Sequence, residues 1–201
     1  MPAARLETRP RRIESLLAVT SFRSLVQHTD ILVIGGAGFI GRHIVSRLID
    51  RGLKVTVPVR RRGRAGHLIT LPTIDVVEAD IHDDATLAGL ITGRDAVINL
   101  VGILQGSRGS PYGPEFARAH VELPRRIVRS CETLRVRRYL HMSALGADVH
   151  GPSMYQRSKG DGEAAVRACR LDWTIFQPSV VFGPEDKFLN TFATLASIAP
   201  V

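Results

Sequence analysis

Four apolar residues that run straight into a cluster of glycines, and then into a helix, constrain this chain more than anything else in it. The run is Ile31-Leu32-Val33-Ile34-Gly35-Gly36-Ala37-Gly38-Phe39-Ile40-Gly41. Ile31 to Ile34 has the length and β-branching of a buried strand. From there Ile40, Ile44, Val45, Leu48 and Ile49 recur on one helical face, with Arg42, His43, Ser46, Arg47 and Asp50 on the other. Strand, glycine turn and helix in direct succession is the context of a dinucleotide-binding βα turn. Without a Cβ the backbone lets a pyrophosphate come close, and the free N–H groups and dipole of the helix start favour its charge. Two glycine spacings are present, Gly35-x-x-Gly38-x-x-Gly41 and Gly36-x-Gly38-x-x-Gly41. A glycine turn that binds nothing is the alternative, and the flanking strand and helix weigh against it.

The rest of the chain repeats the alternation. Lys54 to Val59, Ile74 to Val77, Ala96 to Val101, Arg138 to Met142 and Trp173 to Phe176 read as further strands. Between them lie helical patterns: Asp83-Asp84 to Gly93, a helix opened by Pro124 with Ile127, Val128, Cys131 and Leu134 buried, and one from about Tyr155 to Leu171. Phe188, Phe192 and Leu195 mark a last apolar helix face. The pattern predicts an α/β fold: a doubly wound parallel sheet, Rossmann-like, with helices on both faces. Residues 30–201 form this domain. Residues 1–29 carry Arg5, Arg9, Arg11, Arg12 and Arg23 against Glu7 and Glu14, lack a secretory apolar core, and read as a basic extension expected to be disordered.

Cys131 and Cys169 sit beside apolar neighbours without metal spacing, so they read as reduced core residues and no metal site is expected. No apolar run approaches the ~20 residues of a membrane span. The net charge of +8 fits an anionic partner in general. No basic stripe with interleaved aromatics appears, so a nucleic-acid partner is not the favoured reading.

Two stretches point to chemistry. After Val59, where an acid would take the adenosine ribose 2′-hydroxyl of NAD, stand Arg60, Arg61, Arg62 and, past Gly63, Arg64. Guanidinium groups suit a 2′-phosphate, which predicts NADP, with NADPH preferred and NAD the second option. A solvated basic loop would need no ligand. Further on, Tyr155-Gln156-Arg157-Ser158-Lys159 puts a phenol and an ammonium on one helix face. The ammonium is expected to lower the phenol pKa, so that Tyr155 could exchange a proton near neutral pH. Ser143, at the carboxyl end of the preceding strand, could hydrogen-bond a substrate oxygen.

With these residues in view the chain resembles an extended or atypical short-chain dehydrogenase/reductase, of the NAD-dependent epimerase/dehydratase type, from about Asp30 to its last residue. The resemblance implies a catalytic Ser143, Tyr155 and Lys159. It assigns cofactor contacts to Gly35, Gly38, Phe39, Ile40 and Gly41, to Arg60 and Arg61, to Asp80 and Ile81 beside the adenine, and to Leu100, Val101 and Gly102. Tyr155 and Lys159 would also meet the cofactor, Lys159 at the nicotinamide ribose, and Pro178 to Val181 would flank the nicotinamide. His141-Met142-Ser143-Ala144-Leu145-Gly146-Ala147, Tyr155 to Lys159 with Gly162-Glu163, and Phe182-Gly183-Pro184-Glu185-Asp186-Lys187-Phe188-Leu189-Asn190 are similar to the nucleotide-binding accessory subunits of respiratory complex I.

Gln177 stands where many extended members carry arginine before the proline. The family also has a C-terminal substrate-binding portion that would begin about where Val201 stands, so a truncated C-terminal lobe is expected and the substrate is unreadable. Two functions follow from the resemblance: a complex I-like subunit that holds NADPH for structure or assembly, and an NADP-dependent oxidoreductase or epimerase acting on a carbonyl or alcohol; a third, an RNA-binding relative of the fold, is suggested only by the net charge of +8. The first implies a membrane-bound respiratory complex as partner and a cytoplasmic place peripheral to the inner membrane, with organelle import as the variant.

Overall fold

The computed structural model describes residues 5–8 and 29–183, and its architecture follows from one strand that is buried on both faces. That strand, β2 (Asp30–Ile34), sends Leu32 and Ile34 into one apolar cluster and Ile31 and Val33 into another. A strand that alternates between two cores must have helices above and below it, as parallel sheets do. The cluster with Ile31 and Val33 is closed by α1 (Phe39–Ile49) and α2 (Gly66–Ile69), through Val45, Ile49 and Leu68. The other is closed by α3 (Asp84–Ile91), α5 (Leu123–Thr133) and α6 (Met154–Arg167), through Leu87, Ile91, Ile127, Cys131 and Val166.

The remaining strands are β1 (Arg5–Thr8), β3 (Lys54–Val59), β4 (Ile74–Glu78), β5 (Ala96–Asn99), β6 (Arg138–Met142) and β7 (Asp172–Gln177). The sheet order is β1-β7-β6-β5-β2-β3-β4. The six strands from β2 to β7 pair in parallel, and β1 joins β7 antiparallel, with Arg5 opposite Gln177. The chain therefore winds outward in one direction from β2 and in the other from β5. The crevice beyond their carboxyl ends is the switch point where open α/β sheets bind ligands.

The doubly wound parallel sheet matches the expectation from sequence, with four local differences. Arg5–Thr8, inside the stretch read as a disordered extension, is an edge strand, because β7 offers it an unpaired rim. Residues 9–28 and the expected helix over Phe188, Phe192 and Leu195 lie outside the described residues. β5 stops at Asn99, because the Asn99 side-chain oxygen takes the Val101 N–H and turns the chain there. The helix expected to start at Pro124 starts ten residues earlier: Pro114 follows the N-cap Gly113 and opens α4 (Pro114–Phe116). It continues through a π-helical segment (Ala117–Glu122) into α5. Proline in a helix lacks an N–H and crowds the carbonyl four residues back, here that of His120; the wider π turn accommodates both. Finally, α6 ends at Arg167 rather than Leu171, and the chain turns directly into β7.

Candidate functional site

The glycine turn is shaped by close packing of backbone on backbone. Gly35 has φ +85°, a region that favours glycine, and a Cβ there would lie 3.1 Å from Leu100 C and Val101 N. The turn after β2 is thus seated against the turn after β5. Gly41 lies so close that a Cβ would overlap Gly35 O and Gly36 Cα. Gly38 N–H donates to Gly35 O (3.1 Å), and Arg42 N–H donates to Gly38 O (3.0 Å). At the head of α1, the N-cap Gly38 brings no side-chain cap and the first turn has no acidic residue. The first N–H groups of α1, from Phe39 and Ile40 on, therefore stay available to an anion. The ring of Phe39 lies against Gly183, so the turn that follows β7 passes over the start of α1.

A cleft of about 790 Å³ lies beyond the carboxyl ends of β3, β4 and β5, lined among others by Arg60, Glu78, Asp80, Ile103 and Arg118. Arg60 and Asp80 are sequence-predicted site residues, and both are there. Arg61 is exposed and does not line the cleft. Ile81 packs partly buried against the core cluster under α3. Asp80 accepts the His82 N–H (2.9 Å). Glu78 and Arg118 are among the lining residues that the sequence does not announce. Glu78 arrives from β4 because it pairs in register with Val59, and its carboxylate takes the Arg62 N–H (3.0 Å). An acid does stand beside the arginine loop, contributed by the neighbouring strand. Arg118 comes from the π-helical segment.

The other half of the site is assembled from buried side chains. Ser153 caps α6 through a reciprocal capping box with Gln156, which fixes the first turn that bears Tyr155. One turn on, Lys159 is buried and donates from Nζ to Met142 O (2.8 Å) at the end of β6. Ser143, the next residue, is only 4% exposed; its N–H is bound to Phe176 O, and its Oγ has no partner among the described residues. Gly102 joins the group: a Cβ there would stand 3.8 Å from both Lys159 Nζ and His120 Nε2. Pro178 contributes its carbonyl to Leu145 N–H (2.8 Å), and Val181 is exposed. Gln177, the departure before the proline, donates from Nε2 to both oxygens of buried Glu163 (2.8 and 3.0 Å), which also pairs with Arg167 (2.6 Å).

Burial dominates the electrostatics. It pushes the Lys159 ammonium down to about 8, against the pull of Glu163 the other way. It pushes His120 down to about 3, with the Lys159 charge adding to the effect, and holds His141 well below the usual imidazole range. It also raises the Tyr155 phenol. The expected lowering by Lys159 is therefore not what this structure has: desolvation raises the phenol, and the ammonium donates to a backbone carbonyl. The geometry brings a phenol, an ammonium and an unpartnered hydroxyl to the sheet edge that also holds the glycine turn. A cradle without Cβ atoms and an orphaned buried hydroxyl fit a phosphate-linked group with a polar reactive end.

Comparison with known proteins gives the family and the fold. A family model described as NAD(P)H-binding matches residues 35–187. The chain is 33% identical over 181 residues to NADH dehydrogenase [ubiquinone] 1 alpha subcomplex subunit 9, mitochondrial, of Rattus norvegicus, covering 85% of this chain and 45% of that protein. It is 30% identical over 178 residues to the mitochondrial NADH-ubiquinone oxidoreductase 40 kDa subunit of Neurospora crassa (87% and 46%). A ceramide reductase of Caulobacter vibrioides is 29% identical over 174 residues (85% and 52%). The chain spans about half the length of the curated relatives it matches. Among solved structures, the Bordetella bronchiseptica enzyme WbmH in complex with NAD+ superposes with a TM-score of 0.68 at 23% identity, over 85% of this chain and 62% of that one. The UDP-glucuronic acid 4-epimerase of Bacillus cereus in complex with NAD gives 0.64 at 20%, over 78% and 59%. At these identities the structures speak for the fold alone.

Proposed function

This chain belongs to the NAD(P)H-binding family, and from that premise we propose that it holds NADPH as a structural or assembly element of a membrane-bound respiratory complex rather than turning it over. The state of the acid/base pair carries this reading. Lys159 Nζ donates to Met142 O, and burial raises the Tyr155 phenol above its ordinary value, the opposite direction to the lowering that a proton-exchanging pair needs. Similarity over 85% of the chain to a mitochondrial NADH dehydrogenase subunit supports the same choice.

In this reading the glycine turn and the head of α1 receive the pyrophosphate, and Asp80 with Ile81 flanks the adenine. Arg60, with Arg61 reaching in from the exposed loop, takes the 2′-phosphate; Glu78 stays bound to the Arg62 N–H and leaves Arg60 to the ligand. Leu100 to Gly102, Tyr155 and Lys159 hold the nicotinamide ribose, and Pro178 to Val181 close over the ring. The cofactor would bring hydride chemistry to this edge. The chain acts peripherally at the membrane of its complex; among the described residues no helix is long and apolar enough to cross one.

A second reading, a reductase acting on a carbonyl, is favoured by one observation. Ser143 Oγ is buried without a partner, one residue past the Met142 carbonyl that Lys159 binds, which is the state of a hydroxyl waiting for a substrate oxygen. There Ser143 would polarise the carbonyl and Tyr155 would give the proton. Titration with NADPH and NADH, with incubation of the loaded protein with carbonyl compounds, tests both. The holder reading expects tighter binding of NADPH, loss of that preference in Arg60→Ala/Arg61→Ala, and no oxidation of the bound NADPH. Turnover that falls by about 10²–10⁴-fold in Tyr155→Phe would replace it with the reductase.

A further inference from the structure

His120 is fully buried on the π-helical segment, and each of its ring nitrogens has a defined partner. Nε2 lies 3.0 Å from the Ile103 N–H, and Nδ1 lies 2.8 Å from Ser158 Oγ. A backbone N–H can only donate, so Nε2 is the acceptor. A neutral imidazole carries one proton, which must then sit on Nδ1 and point at Ser158 Oγ. The Ser158 hydroxyl in turn donates to the Tyr155 carbonyl (2.9 Å). Proton direction is therefore set along the whole chain from Ile103 through His120 and Ser158 to Tyr155. The ring also completes an aromatic cluster: its centroid is 5.5 Å from that of Tyr155, at an interplanar angle of 87°, and 5.4 Å from Phe116. Behind it the His120 carbonyl faces Gly162 of α6 so closely that a Cβ on Gly162 would overlap it.

We propose that His120 is a positioning residue: a neutral imidazole fixed as the Nδ1–H tautomer, which fastens the Gly102–Ile103 segment to the turn of α6 that carries Tyr155 and Lys159. The tautomer stands on the hydrogen bonds alone. Its consequence for the ligand rests on the dinucleotide reading above. Ile103 lines the cleft, and a Cβ built on Gly102 would stand 3.8 Å from both His120 Nε2 and Lys159 Nζ, so the imidazole links this segment to the helix that carries Lys159. Releasing it frees Gly102 and Ile103 to shift away from Lys159.

Two measurements on the protein decide the matter. The first is long-range ¹H–¹⁵N correlation spectroscopy of the histidine-labelled protein at neutral pH, with His120→Gln assigning the signal. The expected pattern is a protonated Nδ1 and an unprotonated Nε2. An Nε2–H or doubly protonated ring at His120 overturns the proposal, whatever the protein binds. The second is NADPH titration of His120→Phe and His120→Gln beside the wild type. Phenylalanine keeps the ring but leaves the Ile103 N–H without an acceptor, and affinity should fall about tenfold, as a lost buried hydrogen bond typically costs. Glutamine offers Oε1 at the reach of Nε2 and should recover most of the loss. A merely structural role would lower the melting temperature of both variants without separating their affinities, and that result, or wild-type affinity in both, overturns the positioning role. If the wild type itself binds no dinucleotide, the function reading fails, and the spectroscopic result still decides the tautomer.

Discussion

The turn from Ile34 to Gly41 and the cluster around Tyr155 meet at one sheet edge, yet they are held in different ways. The first is backbone throughout: Gly35 sits at φ +85° against Leu100 and Val101, and Gly41 fits under Gly35 O only because it has no side chain. Nothing in it titrates. The second is made of polar side chains taken out of water: Lys159, Ser143, His120, Ser158, His141 and Glu163 are all buried. A backbone cradle is rigid and indifferent to pH. A buried polar cluster is costly, and each group needs a partner. The cradle suits a fixed phosphate grip, while the cluster gives the other end of the site its adjustable chemistry.

Glycine replacement exposes the difference most strongly. Gly41→Ala places a Cβ on Gly35 O, and Gly162→Ala places one on the His120 carbonyl. Both should destabilise by about 1–3 kcal/mol or more, because backbone cannot step aside as a side chain can. Gly41→Ala should also abolish dinucleotide binding, since it opens the turn that seats the pyrophosphate. Gly162→Ala should keep weakened binding, since it displaces α6 and leaves the cradle whole. Thermal melts paired with NADPH titration read both. Equal loss of binding in the two variants would mean that the halves are not separable.

That contrast also explains what was legible beforehand. The cradle could be read because φ and close approach are written into glycine positions a few residues apart. The Tyr155–Lys159 pair could be read because one helical turn joins them. His120 could not, since its partners Ile103 and Ser158 lie 17 and 38 residues away. The local signal is the i, i+4 series Phe116, His120, Pro124, and a proline there reads as a helix start, whereas this one lies inside a helix that opens at Pro114. Glu78 escaped for a similar reason, because only the register of β3 on β4 brings it beside Arg62. The β1 edge strand pairs with residues near the far end of the described chain, so no local pattern announces it. What failed to show in the sequence depends on long-range pairing, and what showed depends on neighbours.

Acid should loosen the tyrosine half first. His120 has a folded value near 3 against an ordinary 6.5, and His141 is likewise held down by burial. Above pH 6.5 both imidazoles are neutral, folded or unfolded, and the native state loses nothing. As pH falls below 6.5 the unfolded chain takes up protons that the folded one refuses, so stability declines progressively toward pH 3. On the cradle side the counterparts are His67 and His82, also held below the usual imidazole range chiefly by burial, though both are less buried than His120 and His141. Urea midpoints across this range should therefore fall less steeply in His120→Gln than in the wild type. Identical slopes would show that the imidazole is not held neutral by the fold.

The smallest expected effect gives the finest comparison. Two buried hydroxyls have no partner among the described residues: Thr56 Oγ1 on β3, on the sheet face opposite Val55 and Val57, and Ser143 Oγ after β6. An unpaired buried hydroxyl costs stability, so Thr56→Val and Ser143→Ala should each be neutral or stabilising by up to about 1 kcal/mol, measured as a shift in urea midpoint. In stability the two should look alike. They should part only in function: Thr56 faces no ligand, and its valine variant should bind NADPH as the wild type does. If the protein only holds its cofactor, Ser143→Ala should do the same, and the orphaned hydroxyl is a plain packing cost. If the protein reduces a carbonyl, Ser143→Ala should keep NADPH affinity while turnover falls by roughly 10–10³-fold, as expected when a hydrogen-bond donor to the reacting oxygen is removed. A stabilised, fully binding Ser143→Ala protein with no activity to lose would leave the holder reading standing, because the one observation that favours the reductase would then have a structural explanation.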